Sequence, residues 1–288
     1  MTAKKASASR PIIALMYDFD NTLSTKDMQE YTFIPSLGES PKAFWAEAGE
    51  LSNSQGMDPI LTYMYLMIRK SRDKHKPINR EVFENAGRDI QLFPGVREWF
   101  DRINAFGDTQ GVDVEHYIIS SGLKEIISGS SISHVFKEIY ACEFHYDENG
   151  VADWPKVAVN YTNKTQFLFR INKGCLDLSD DRTVNEFVPE QERRIPFRNM
   201  IYIGDGMTDV PCMKLVKVYG GRSIAVYRKN NQAVCEKLLT DGRVDYIARA
   251  DYNENKEVDE LVKTIIVKMA AESRLAAVNL DQMSRLGR

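Results

Sequence analysis

Two short acidic constellations stand out in the chain. Asp18-Phe19-Asp20-Asn21-Thr22 sets two carboxylates two positions apart, and Gly204-Asp205-Gly206-Met207-Thr208-Asp209 sets two more four positions apart among glycines. Alternate residues leaving a strand project to the same face, so Asp18 and Asp20 stand side by side. Adjacent acids are costly unless a proton or a cation neutralises them, and a divalent metal is the direct physical answer. A lone D-x-D is a weak signal, because acids at strand ends are often merely solvated. The second acidic motif and the serines Ser120 and Ser121 ahead of Gly122, each after its own strand-like run, turn that signal into a site.

The elements must bring these motifs together. PIIALMY (11–17) reads as a buried parallel strand that delivers Asp18 and Asp20 at its end. VEHYIIS (114–120), VFKEIYACEF (135–144), NMIYIG (199–204), RSIAVY (222–227) and VDYIA (244–248) continue the series, with a hairpin excursion near 144–154. Helical spacing appears between them: Val96, Trp99, Phe100 and Ile103 within 92–106, a short piece at 123–128, 164–172 stopped by Gly174, and a last helix over 255–273 ending in a polar tail. Strands alternating with helices predict an α/β fold with a doubly wound parallel sheet, whose carboxyl edge is the place for a ligand. Residues 26–90 hold helical pieces between prolines and glycines and no strand, which predicts a small helical insert. The division is thus a tail at 1–10, a main domain from 11–25 and 91–288, and the insert at 26–90. The polar stretch 175–198 has no readable pattern.

Composition narrows the classes. A chain of 288 residues, 43% apolar and 27% charged, is an ordinary globular protein long enough for one large domain with an insert. With 38 basic and 41 acidic residues its net charge is −3, so no global positive field exists to hold a nucleic-acid polymer or an anionic membrane. Cys142, Cys175, Cys212 and Cys235 lie far apart without a C-x-x-C pair, which fits reduced thiols. No signal-peptide core or membrane-length apolar window appears, so a cytoplasmic protein is expected. The four histidines have no metal-ligand spacing, and VKVYGGRSIAVY has glycines but no dinucleotide fingerprint.

DFDNTL after one apolar strand, IISSG after another and IGDGMTDVP after a later one resemble motifs I, II and IV of the haloacid dehalogenase superfamily in order, spacing and strand context. The resemblance runs from Pro11 to about Ala250. Within the superfamily the chain is similar to phosphatases of the phosphoserine-phosphatase type, which carry a helical cap where residues 26–90 stand here. The resemblance implies a Mg²⁺-dependent phosphatase acting on a small phosphorylated metabolite through an aspartyl-phosphate. A nucleotidase, a phosphotransferase and a catalytically silent binding module are its alternatives, and four intact acids speak against the last. It makes Asp18 the nucleophile and Asp20 the general acid and base, with the Asp20 backbone carbonyl on the metal. Thr22 holds the acid loop beside the phosphate, which is bound by Ser120 or Ser121 and by the Gly122 amide. Lys164 in YTNKTQFLF supplies the motif III cation, with Lys156 and Lys173 as alternatives, and Asp205 and Asp209 complete the metal set. Asp20 argues against a metal-free dehalogenase, and Asn21 replaces a common glycine. In the cap, Asp27 would read a substrate amine and Arg69 or Arg72 a carboxylate, while TYMYLMIRK (62–70) lines the pocket or simply fills the cap core. Substrate identity and oligomeric state are not readable from the chain.

Overall fold

In the computed structural model of the protein, residues 10–228 and 231–286 are described. Of the tail expected at 1–10, residues 1–9 lie outside them; Arg10 pairs with Asp108 at 3.0 Å and Asp113 at 3.3 Å beside the first strand.

β1 (Ile12–Tyr17) is apolar throughout, which suits a strand covered on both faces, and it takes the centre of the sheet. It is followed along the chain by α1 (Phe33–Ser36), α2 (Pro41–Gln55), α3 (Pro59–Asp73), α4 (Arg80–Gly87) and α5 (Val96–Gln110). Then come β2 (Asp113–Leu123), α6 (Lys124–Ser128), β3 (Phe136–Tyr146), β4 (Ala152–Val157), α7 (Lys164–Lys173) and α8 (Asp181–Asn185). The chain ends with β5 (Met200–Gly204), α9 (Val210–Val218), β6 (Arg222–Tyr227), α10 (Gln232–Thr240), β7 (Tyr246–Arg249) and α11 (Glu257–Arg285).

The seven strands run in the order β4-β3-β2-β1-β5-β6-β7, all pairs parallel except the β3/β4 hairpin. The doubly wound α/β fold expected from the alternating pattern is therefore present. β1 lies between β2 and β5, so the order reverses there and opens a crevice at the carboxyl ends of these three strands. β1 delivers Asp18 there, β2 delivers Ser120 and β5 delivers Asp205.

One polar chain threads the core beneath β1. Trp99 Nε1 donates to the Tyr17 hydroxyl at 2.9 Å, Tyr17 bonds His116 Nδ1 at 3.0 Å, and His116 Nε2 meets Asn104 Oδ1 at 3.0 Å. The polar side-chain atoms of Trp99, Tyr17 and His116 all have partners, which removes the desolvation penalty each would carry alone. Burial pulls the His116 pKa down to about 3, so the ring is neutral.

The chain leaves and re-enters the sheet domain through one paired crossing. Ser24 bridges Leu92, Thr25 N donates to Gln91 O at 2.9 Å, and Phe93 N donates to Leu23 O at 2.9 Å. Between these points lie α1 to α4, and the β3/β4 hairpin reaches them through the Asn79–Val151 bridge.

Two stretches differ from the sequence pattern. The 175–198 segment folds onto α7, whose Arg170 donates to the Asp177 and Asp180 carbonyls at 2.6 and 3.0 Å and whose Asn172 donates to Ile195 O at 2.7 Å. Side chains of another element satisfy its backbone, so no periodicity of its own is needed. The last helix continues to Arg285 instead of ending near 273. Its buried face stops at Ala270, and Arg, Leu and Ala residues carry the exposed remainder on helix propensity.

Candidate active site

Asp18 is the first residue past β1 and is buried. Its amide donates to Ile203 O at 2.9 Å, which ties it to β5, and its Oδ1 accepts from the Phe19 amide at 2.8 Å. The chain then wraps around the Phe19 carbonyl, which receives the amides of Leu23 at 2.9 Å and Ser24 at 3.0 Å. This turn throws Asp20 out on the same side as Asp18. Asp20 Oδ1 accepts from the Met28 amide at 2.9 Å, so the acid is held by its own loop.

Lys164 opens α7, an unfavourable place for a cation in the helix field. Its ammonium is fully buried, 3.2 Å from Asp18 Oδ1 and 2.8 Å from Asp209 Oδ1. Asp209 is itself fixed on three sides, since Oδ1 also accepts from the Tyr202 hydroxyl at 2.8 Å and Oδ2 from the Asp205 amide at 3.2 Å. At Gly204 a side chain would run into the Asp209 carboxylate, so glycine is what lets the second acidic loop fold back on the strand end. Gly122 plays the same part at motif II, where a Cβ would stand 2.9 Å from Asp20 Oδ2 and against Met28.

Ser120 Oγ accepts from the Gly122 amide at 3.0 Å, which leaves its O–H free to donate. The Ser121 hydroxyl is buried without a partner, while the Ser121 carbonyl accepts from Tyr63 at 2.8 Å. Both serines, Gly122, Asp18, Asp20 and Asp205 line a cavity of about 570 Å³ under α2 and α3.

The charge balance of this crevice is negative. Burial, opposed by Lys164 and reinforced by Asp209, pushes the Asp18 pKa up to about 6. Burial, then the charges of Asp209 and Asp18, push Asp205 up to about 8, and burial with Asp27 and Asp18 raises Asp20 well above its ordinary value. Burial alone would pull Lys164 down, but Asp18 and Asp209 outweigh it and keep the ammonium charged. One cation faces several carboxylates, so a further cation is needed when they are ionised. Carboxylate oxygens of Asp18, Asp205 and Asp209 lie within 4.8 Å of one another. An all-oxygen set of this kind fits a hard divalent ion that keeps part of its water shell, as Mg²⁺ does.

The crevice thus gathers Asp18, Asp20, Lys164, Ser120, Ser121, Gly122, Asp205 and Asp209 from four separate stretches of sequence. Asp27 also lines the cavity, and its Oδ1 accepts from Asn21 Nδ2 at 2.8 Å. Asn21 sits at φ 59°, the left-handed conformation that asparagine tolerates, and so serves where glycine is common.

Other expected residues lie elsewhere. Thr22 is buried outside the cavity lining, its carbonyl accepting from Tyr252 at 2.9 Å, so it braces the acid loop and does not face the cavity. Arg69 is drawn into an ion pair with Glu47 on the neighbouring helix, and Arg72 lines an outer groove with Trp154, so neither guanidinium reaches the cavity. Lys156 pairs with Glu143 at 3.0 Å, and Lys173 donates to the Val184 carbonyl at 2.7 Å. From TYMYLMIRK, Tyr63 lines the cavity, whereas Met64, Leu66 and Met67 are buried in the core. The cavity also takes in Gln29, Trp45 and Tyr161, which carry no motif signal in the sequence. Tyr202 was hidden inside a strand, where an aromatic reads as packing; only its position two residues before Gly204 aims it at the site.

Four acids, a buried lysine and paired serines thus meet at the switch point of an α/β sheet, the place where such a fold binds a ligand. The family model for haloacid dehalogenase-like hydrolase matches residues 15–214, and the chain belongs to that family. It is 30% identical over 280 residues to an uncharacterized protein of Borreliella burgdorferi, covering 86% of this chain and 94% of that one. Among solved structures, a haloacid-dehalogenase-family hydrolase of Salmonella enterica serovar Typhi superposes with a TM-score of 0.58 at 16% identity, covering 89% of this chain and 72% of the other. A substrate-bound phosphoserine phosphatase superposes with a TM-score of 0.55 at 14% identity, covering 89% and 99%. These two likenesses are of fold.

Proposed function

We propose that the protein is a Mg²⁺-dependent phosphatase that hydrolyses a small phosphomonoester through an aspartyl-phosphate on Asp18. The observation that carries this reading is the buried Asp18–Lys164–Asp209 run, opening onto a cavity that also exposes Asp20 and the Ser120 hydroxyl. Asp18 Oδ attacks phosphorus, and the bond from phosphorus to the alcohol oxygen breaks. Asp20, kept protonated by burial and by its acidic neighbours, gives its proton to that oxygen, so a neutral alcohol leaves. Asp20, now a carboxylate, takes a proton from water as the water attacks the phosphoryl group, which releases phosphate and restores Asp18. Lys164 holds positive charge beside Asp18, and the Ser120 O–H is free to donate to a phosphoryl oxygen. A Mg²⁺ held by Asp18, Asp205, Asp209 and the Asp20 carbonyl would screen the dianionic phosphate from the anionic nucleophile.

Residues 26–90 form the cap in this reading, and residues 11–25 and 91–288 the core. The paired crossing at Ser24 and Leu92 supports that division, because it is a natural hinge for α2 and α3 to close over the cavity and exclude water. Four buried free cysteines support a reducing compartment such as the cytoplasm, and among the described residues no helix is long and apolar enough to cross a membrane.

Hydrolysis of an aryl phosphate with and without Mg²⁺, combined with acid-quench mass spectrometry, tests the reading. Metal-dependent turnover and a phosphoryl adduct on the peptide containing Asp18 are expected. Turnover in Asp18→Asn at a tenth or more of the wild-type rate would overturn the nucleophile assignment.

A further inference from the structure

Lys164 holds its ammonium between two carboxylates, yet the helix that carries it starts without an ordinary cap. Asn163 stands at the N-cap of α7, but its side chain bonds no amide of the helix. That side chain is spent on the segment before it, where Oδ1 accepts from the Asn160 amide at 2.7 Å and Nδ2 donates to the Ala158 carbonyl at 2.8 Å. Asn160 supplies what the N-cap does not. Its carbonyl accepts from the Lys164 amide at 3.0 Å, and its Oδ1 accepts from the Asn163 amide at 3.1 Å. The backbone that places Lys164 is therefore set by Asn160.

The same bonds orient the Asn160 side chain. With Oδ1 turned to Asn163, Nδ2 is left to donate to Asp58 Oδ2, which it does at 3.0 Å across 102 positions of sequence. Asp58 is the N-cap of α3, and its Oδ1 accepts from the amides of Ile60 at 2.9 Å and Leu61 at 3.1 Å. Capping α3 takes only Oδ1, so Oδ2 is the oxygen that makes the connection. One carboxylate thus ties the start of a helix in the 26–90 insert to the start of the helix that carries Lys164. Further along α3, the Tyr63 hydroxyl donates to the carbonyl of Ser121, beside Ser120, at 2.8 Å. Neither Asp58 nor Asn160 is among the residues that line the cavity, so any influence on turnover is exerted through the groups they hold.

We propose that Asp58 and Asn160 are a positioning pair for Lys164: Asp58 holds Asn160, Asn160 holds the first turn of α7, and the ammonium is placed for Asp18 only while that contact is made. This rests on the phosphatase reading above. With α3 displaced, Asn160 loses its acceptor and Lys164 loses the restraint that keeps it 3.2 Å from Asp18 Oδ1. Attack by Asp18 then waits for α3 to be seated over the crevice, because a small misplacement of the cation weakens its hold on the reacting charge.

The pair can be inverted to test this. In Asp58→Asn, Oδ1 still caps α3 but two amides face each other. In Asn160→Asp, the bond from the Asn163 amide is kept but two carboxylates face each other. In the double variant donor and acceptor have changed sides and the other hydrogen bonds are retained. Turnover of p-nitrophenyl phosphate with Mg²⁺ and backbone hydrogen exchange are measured on the full-length wild type, both single variants and the double variant. Each single change is expected to lower kcat about tenfold or more with KM within about threefold, and to speed exchange in residues 160–167. The double variant should return kcat to within about threefold of wild type and restore protection. Asp58→Ser keeps a capping oxygen but is too short to reach Asn160, and it serves as the second variant if a single change fails to fold. It should speed exchange in 160–167 while 59–64 stays protected, which a purely local cap would not do. Unchanged kcat in the single variants, a double variant no better than the poorer single, a loss confined to KM, or exchange in 160–167 untouched by both Asp58→Asn and Asp58→Ser would each overturn the proposal. The exchange pattern holding while wild-type protein turns over no aryl phosphate would leave the Asp58–Asn160 connection standing and place the failure in the hydrolase chemistry.

Discussion

The floor and the roof of the cavity are built on different principles. On the floor, Asp18, Lys164, Asp209 and Tyr202 bond to one another in a dry run where each group is fixed by at least one other. On the roof, Trp45 and Tyr63 satisfy their polar atoms within the protein and present ring surface, and Asp27 takes one side-chain hydrogen bond, from Asn21. Any single change on the floor therefore removes a partner from a buried charged group, with the loss of Lys164 leaving two buried carboxylates without their cation. The roof can be altered one residue at a time with effects confined to what is bound. Reaction chemistry needs the first property, and selection among substrates needs the second.

The largest test of that contrast is Asp18→Asn, which should lower turnover of any phosphomonoester by roughly 10³-fold or more without unfolding the protein, read by steady-state assay and circular dichroism. Lys164→Met comes next. It leaves Asp18 and Asp209 buried without their cation and should cost about 3–5 kcal/mol of stability in the metal-free protein, measured by urea unfolding. A cost under about 1 kcal/mol would show that the floor is not the tightly coupled unit described. Tyr202→Phe removes one of the hydrogen bonds to Asp209 and should reduce turnover by roughly tenfold, moving the acid limb of the pH profile while KM stays near wild type. An unchanged pH profile would reduce Tyr202 to packing.

The acid cluster also predicts a pH dependence with a definite sign. Asp18 and Asp205 bind their protons more tightly in the folded protein, with values raised from an ordinary 3.8 to about 6 and about 8. Their stabilisation of the metal-free fold is complete below 3.8 and is lost as pH rises through 6 and then 8. Mg²⁺ should raise the melting temperature more at pH 8 than at pH 6, since protons compete for the same oxygens; scanning calorimetry with and without the ion checks this. The smallest effect is expected at Arg69→Ala. Its pair with Glu47 has side chains 38% and 39% exposed, so the stability change should stay under about 1 kcal/mol and turnover should not move.

Much of this architecture is legible in the chain because it is local. A short continuous apolar run such as IIALMY suits a strand covered on both faces, and DFDNT then emerges at its end. The hairpin and α7 with its Gly174 stop follow from patterns of the same short range. Where the pattern failed, distant partners decide the structure: the 175–198 stretch borrows its hydrogen bonds from Arg170 and Asn172, and the extension of α11 past Ala270 follows propensity after the apolar face has ended. Arg69 looked free in sequence because Glu47, its partner, lies 22 positions away on another helix.

The sequence by itself determined which chemistry-bearing residues exist and at which strand ends they emerge, because strand periodicity and motif spacing are properties of neighbouring residues. Only the tertiary structure decided which of them meet. Asp18, Ser120, Lys164 and Asp209 are separated by dozens of positions, and the parallel order that sets β1 between β2 and β5 brings them within reach of one another. The same packing turned Thr22 and Arg69 away from the cavity and turned Trp45, Gln29 and Tyr63 into it. Direction and burial at a site depend on contacts across the fold, and no local pattern encodes those.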